Sequence, residues 1–169
     1  RGVMSRGGSA YELSFDHKPN DPKERGRIEA AGGYVAEMDG GVYRVCGNLN
    51  LSRAIGDLEY KKDTTKGPEV QIISATPDIT TTKLTEADEF IVLACDGVWD
   101  VKTNQEVVDF VSQRLKPLEP DITEGQLSKI LEELLDSCCS PDLSTTAGLG
   151  GDNMTAVLVY FSPVFRKAL

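Results

Sequence analysis

With 169 residues, 40% of them hydrophobic, the chain is long enough for one ordinary domain with its own core. Its 18 Lys and Arg stand against 27 Asp and Glu, a formal charge of −9. That balance excludes a general nucleic-acid binder, which needs a basic patch to neutralise phosphates, and suits cations or basic partners.

The single His17 excludes a multi-histidine zinc centre made by this chain alone. The four cysteines (Cys46, Cys95, Cys138, Cys139) contain no Cys-x-x-Cys pair, which points to a reducing, intracellular compartment. No signal peptide, lipidation motif or long apolar run is visible, so no membrane association is expected. The chain starts at Arg1, without Met, inside a strand-like run. The expectation is a piece of something longer, whose open apolar sheet edges invite self-association.

In chain order, residues 2–5 and 10–13 read as two short strands joined by Arg6-Gly7-Gly8-Ser9, a β-hairpin. Asp21-Pro22-Lys23-Glu24 is a helix start, with an N-cap acid, Pro at the first position and Glu at the third. That helix runs to about Ala31, where Gly32-Gly33 ends it. Residues 34–38 and 42–45 flank Asp39-Gly40-Gly41 as a second hairpin. Periodicity then fades over residues 47–66; such stretches are often functional, with a plain surface loop as the alternative. Residues 70–74 and 79–84 read as strands on either side of Pro77-Asp78.

Residues 90–95 form an unbroken apolar run rich in β-branched side chains, the pattern of a strand buried on both faces. It stops at Asp96-Gly97, read as a turn. Thr103-Asn-Gln-Glu106 and Thr123-Glu-Gly-Gln126 are capping boxes. The first opens a helix with Val107, Val108, Val111 and Leu115 on one face. The second opens one with Leu127, Ile130, Leu131, Leu134, Leu135 and Cys138 at helical spacing. A Gly/Ser/Thr/Pro loop over residues 140–151 ends at Asp152-Asn153, and residues 154–161 make a final apolar strand. Strands dominate both halves and helices gather after the central strand, which argues α+β with antiparallel sheets rather than a doubly wound parallel sheet.

Asp96 closes one apolar strand and Asp152 opens another. If those strands are antiparallel neighbours, the two carboxylates meet at one edge of the sheet, with Asp96 held rigidly and partly desolvated. Asp100 adds a third acid beside Trp99, the only Trp. Carboxylates without thiolate or imidazole favour hard cations, so Mg²⁺ or Mn²⁺ is expected. Taken singly, an Asp-Gly or Asp-Asn pair more often caps a turn than binds metal.

The motifs together say more. Asp16-His-Lys-Pro19, Arg27-Ile28, Ala31-Gly-Gly33, Leu51-Ser-Arg-Ala-Ile-Gly-Asp57, Ala75-Thr-Pro-Asp78, the run from Asp88 to Asp100 and Gly151-Asp-Asn-Met-Thr155 follow in order. This set closely resembles the C-terminal half of a type 2C protein phosphatase, the metal-dependent serine/threonine (PPM) family. The tract around residues 107–111 and 132–138 looks most like its gamma-type members. The resemblance covers nearly the whole chain, residues 1–169, as the C-terminal portion of a single catalytic domain. It implies an α-β-β-α sandwich of antiparallel sheets flanked by helices, with the N-terminal half missing.

By position, the resemblance assigns Asp96 and Asp152 to one metal of a two-metal Mg²⁺/Mn²⁺ centre and Asp100 to a third, weaker metal. Gly97 and Asn153 would orient those ligands, and Arg53 lies in the segment that contains the substrate-bordering flap. For Arg53 a salt bridge to an acid is an equal alternative. The family's early motifs are absent: the phosphate-binding arginine, the Glu-Asp pair and the Asp-Gly-His segment. The implied function is hydrolysis of phosphoserine and phosphothreonine in proteins by the intact domain, with little or no turnover by this chain alone. A non-catalytic, phosphatase-like binding or regulatory module is the alternative, and a metal-dependent nuclease is disfavoured by the charge.

Overall fold

The computed structural model describes all of residues 1–169. In chain order the elements are β1 (Gly2–Arg6), β2 (Ser9–Glu12), α1 (Pro22–Ala30), β3 (Val35–Glu37), β4 (Tyr43–Val45), β5 (Asp88–Ala94), α2 (Asp96–Trp99), α3 (Asn104–Leu115), α4 (Glu124–Asp136), β6 (Ala156–Tyr160) and α5 (Pro163–Arg166). They divide into two units, one of residues 1–15 and 80–169, the other of residues 16–79.

The first unit is built on a four-stranded antiparallel sheet of order β2-β1-β5-β6. Gly7 and Gly8, both with positive φ, make the tight turn between β1 and β2. The helices pack on one face of this sheet. Val3, Phe90 and Val92 come from the strands, Val107, Val108, Val111 and Leu115 from α3, and Ile130 and Leu134 from α4. Each such side chain contributes roughly 1.5–3 kcal/mol on burial. Both capping boxes form as the sequence specifies: Thr103 and Glu106 cap α3 reciprocally, and Thr123 and Gln126 cap α4.

The second unit holds α1, the β3–β4 hairpin and a long irregular segment around Ile28, Val45 and Ile73. Asp21 caps α1 by accepting from the Lys23 N–H at 2.9 Å. Glu24, one turn on, is fully buried. Its carboxylate accepts from Arg53 (2.6 and 2.9 Å), from the Ser52 hydroxyl (2.7 Å) and from Arg27 (2.5 Å). Burial alone would raise the pKa of this carboxyl, but those hydrogen bonds prevail and hold it down at about 2.

Three expectations need correction. Residues 70–74 and 79–84 are not strands: a short 3₁₀ turn spans Pro68–Val70, and Ser74 pairs only in an isolated bridge with Arg53. Residues of high β propensity form a strand only where a ladder partner exists, and residues 79–84 have none. Second, β5 is not buried on both faces. Phe90 and Val92 face the helices and are buried, whereas Leu93 on the opposite face is 45% exposed. An antiparallel sheet covered by helices on one side leaves the other side open. Third, Asp96-Gly97 is the first turn of α2 rather than a β-turn. No helix is long and apolar enough to cross a membrane.

Candidate metal centre

β5 and β6 run antiparallel with Ala94 opposite Ala156, so the end of one strand lies beside the start of the other. The pairing continues one step beyond the ladder, where the Cys95 N–H donates to the Thr155 carbonyl at 3.2 Å. The Thr155 N–H donates to Cys95 Sγ at 3.3 Å, and that thiol donates to the Asn153 carbonyl at 3.5 Å. Asp96 and Asp152 therefore flank a joint that is hydrogen-bonded on both sides.

Helix α2 turns away from this joint at once. The Trp99 indole N–H reaches the carbonyls of Ala94 (2.7 Å) and Arg1 (3.1 Å), which pins the helix under the strand ends. The Asp100 N–H donates to the Asp96 carbonyl at 2.8 Å, so the two acids sit one helical turn apart on the same side. At Gly97 a Cβ would lie 2.7 Å from both the Asn153 carbonyl oxygen and Met154 Cγ. Only glycine lets the Asp152-Asn153 backbone approach α2 this closely. The Asn153 N–H in turn donates to Asp152 Oδ1 at 2.8 Å, fixing that carboxylate over its own backbone.

Asp96, Asp100 and Asp152 all line one open pocket of about 430 Å³, together with Gly97 and the 147–151 loop. Asp100 also borders a neighbouring open pocket of about 840 Å³ that includes Arg1, Glu12, Phe15 and Lys102. All three acids are exposed, so the partial desolvation expected of Asp96 is absent. Strand β5 ends before Asp96, and the short helix lifts the carboxylate into solvent.

The donor set suits a hard, hydrated cation of the Mg²⁺ or Mn²⁺ type, which commonly takes one or two carboxylates and keeps several waters. The number of donors falls short: no group of three or more His, Cys, Asp or Glu is placed to hold a metal ion. The residues present supply part of a ligand set and do not close a site on their own.

Arg53 belongs to the second unit. Its guanidinium spans Glu24, the Thr76 carbonyl (2.5 Å) and Asp78 (3.6 Å). Lys23 (2.8 Å) and His17 (3.0 Å) also contact Asp78, whose pKa is lowered chiefly by the hydrogen bonds from Lys23 and His17. The motif segments around His17, Arg27, Arg53 and Asp78 thus converge on two acids. Sequence reasoning saw Glu24 only as a helix-start residue and missed it as a hub. Its i,i+3 spacing to Arg27 was the one local signal, and the link to Arg53 carries none.

The protein phosphatase 2C family pattern matches residues 1–146. Human protein phosphatase 1G is 50% identical over 163 residues, covering 96% of this chain and 29% of its own length. An alignment that long spans all three acids. Probable protein phosphatase 2C 58 of Oryza sativa subsp. japonica is 47% identical, covering 95% of this chain and 40% of its own length. Among solved structures, a phosphatase from Toxoplasma gondii superposes with a TM-score of 0.74 at 32% identity, over 96% of this chain and 45% of the other. A Caenorhabditis elegans sex-determining protein gives 0.72 at 26% identity, over 96% and 35%. An antiparallel α+β fold, with acids where the end of β5 meets the entry to its neighbour β6, defines a phosphatase 2C-like protein. The chain belongs to the protein phosphatase 2C family. It spans 29% to 50% of the length of the curated relatives it matches.

Proposed function

We propose that this chain carries the late acids of a metal-dependent protein serine/threonine phosphatase: Asp96 and Asp152 as ligands of one Mg²⁺ or Mn²⁺, and Asp100 as an accessory ligand. The observation that supports this most is the gathering of all three in one open pocket where β5 meets β6. Metal in such a centre supplies activation of water and neutralisation of charge developing on a phosphoryl group. The chain's own part is to hold Asp96 and Asp100 at the two ends of the pinned helix α2 and Asp152 in the segment that leads into the neighbouring strand β6. Gly97 and Asn153 keep the two supports in contact. Phosphoserine and phosphothreonine proteins are the substrate class of this reading, and an intracellular location goes with it, in keeping with four cysteines that are all free thiols.

Because the three acids share a pocket without being placed to hold a metal ion between them, the 169-residue chain alone should bind Mn²⁺ weakly and show almost no turnover. Titration calorimetry with Mn²⁺, beside a phosphopeptide hydrolysis assay, tests this. Weak binding that disappears in Asp96→Asn and Asp152→Asn is the expected result. Binding that survives both changes would sink the metal assignment, and robust turnover would show that the three acids suffice. The incomplete ligand set also favours a second reading, a phosphatase-like module that binds without catalysis; it predicts phosphopeptide binding unaffected by either substitution.

A further inference from the structure

Cys95 stands where strand β5 gives way to helix α2, and its carbonyl cannot serve both. The register that pairs Leu93 with Val157 continues to Cys95 and Thr155. A hydrogen-bonded antiparallel pair exchanges two backbone bonds, one in each direction. Here only one forms, from the Cys95 N–H to the Thr155 carbonyl at 3.2 Å. The Cys95 carbonyl accepts instead from the Val98 N–H (3.2 Å) and the Trp99 N–H (3.4 Å) as α2 begins. The thiol takes the carbonyl's place. Cys95 Sγ accepts from the Thr155 N–H at 3.3 Å and donates to the Asn153 carbonyl at 3.5 Å. That carbonyl is the one a Cβ at residue 97 would meet at 2.7 Å. The N–H of the same Asn153 holds Asp152 Oδ1 at 2.8 Å.

We infer that Cys95 is a positioning residue for the metal centre: its thiol ties the entry of β6 to the start of α2 and so sets the separation of Asp96 and Asp152. The inference rests on the assignment of those two acids as ligands of one cation. Asp96 follows Cys95 directly, and Asp152 is held by Asn153, so the thiol lies between the supports of the two carboxylates. Only a short side chain that both donates and accepts can fill this place. Alanine would leave the Thr155 N–H to water and release the Asn153 carbonyl, whereas serine keeps a donor and an acceptor close to the same point. Thr155 is exposed, so water can satisfy its N–H and the fold should lose little stability. What should change is the spacing of the acids.

The test uses the whole chain with Cys95→Ala and Cys95→Ser. In Cys95→Ala the Thr155 amide should exchange with solvent faster, while those of Val157 and Val159, inside the β5–β6 ladder, keep their rates. Mn²⁺ affinity, followed by paramagnetic broadening where the variant is fully folded, should fall about threefold to tenfold, the scale of a lost hydrogen bond. Cys95→Ser should return both values toward those of the native chain. Packing alone would not produce that recovery, since serine is smaller and more polar than the thiol. Unchanged Thr155 exchange in Cys95→Ala would overturn the proposal, as would equal losses of affinity in the two variants or none in either. Asp96→Asn and Asp152→Asn, run beside them, keep the two readings apart. Mn²⁺ binding that survives both overturns the metal assignment and with it this role for Cys95, whereas an unresponsive Thr155 amide overturns the role alone.

Discussion

Gly97 carries more of the site than its size suggests. Every acid in the pocket is exposed, so what fixes their separation is the backbone approach between α2 and the Asn153 strand entry. A methyl group at residue 97 would stand 2.7 Å from the Asn153 carbonyl and from Met154 Cγ. Met154 can swing aside, but the carbonyl belongs to the segment tied to Cys95 and cannot. Gly97→Ala should therefore cost about 1–3 kcal/mol of stability, the usual range for overpacking a tight contact. It should also weaken Mn²⁺ binding by parting Asp96 from Asp152. Thermal melting and calorimetry on the same variant measure the two effects. A loss of affinity without Asp96→Asn or Asp152→Asn would show that spacing, not only charge, sets the site.

At the scale of elements, the fully buried Glu24 ties α1 to the irregular segment through Arg27, Ser52 and Arg53. Its folded pKa of about 2 lies below the ordinary value of 4.5. A depressed carboxyl stabilises the fold fully above its unfolded pKa, and the contribution fades as pH falls from that value through the folded one. Glu24→Gln should thus remove roughly 3 kcal/mol at neutral pH, leaving Arg27 and Arg53 facing a neutral amide. The deficit relative to the native chain should shrink below about pH 4, because the native carboxyl is then losing its advantage as well. Denaturant melts of both proteins at several pH values check this.

The same elements show what was legible in the sequence. Capping boxes, glycine turns and hairpins were, because each is decided by residues within a few positions of one another: Thr103 with Glu106, Thr123 with Gln126, Gly7 with Gly8. That Asp96 and Asp152 meet at one end of the sheet was legible once β5 and β6 were taken as neighbours. Residues 70–74 and 79–84 were misread because strand formation depends on a partner edge that local propensity does not encode. Arg53 stayed ambiguous for a similar reason, since its partner Glu24 lies 29 positions away.

Across the whole molecule the acid excess is uneven. The unit of residues 1–15 and 80–169 has 16 Asp and Glu against 9 Lys and Arg, while residues 16–79 have 11 against 9. Most of the −9 charge therefore sits on the unit that carries Asp96, Asp100 and Asp152. Such a field raises the local concentration of cations around an open pocket, and salt screens it over a length of about 10 Å at 0.1 M. With so few direct donors, a large share of any Mn²⁺ affinity must come from this field rather than from coordination. The apparent affinity should then fall several-fold as NaCl rises from about 20 mM to about 200 mM, an order-of-magnitude expectation from screening of exposed charges. A chelating site closed by buried ligands would change little over that interval. Calorimetric titrations at the two ionic strengths separate these cases, and an affinity indifferent to salt would mean that the three acids coordinate far more directly than their exposure implies.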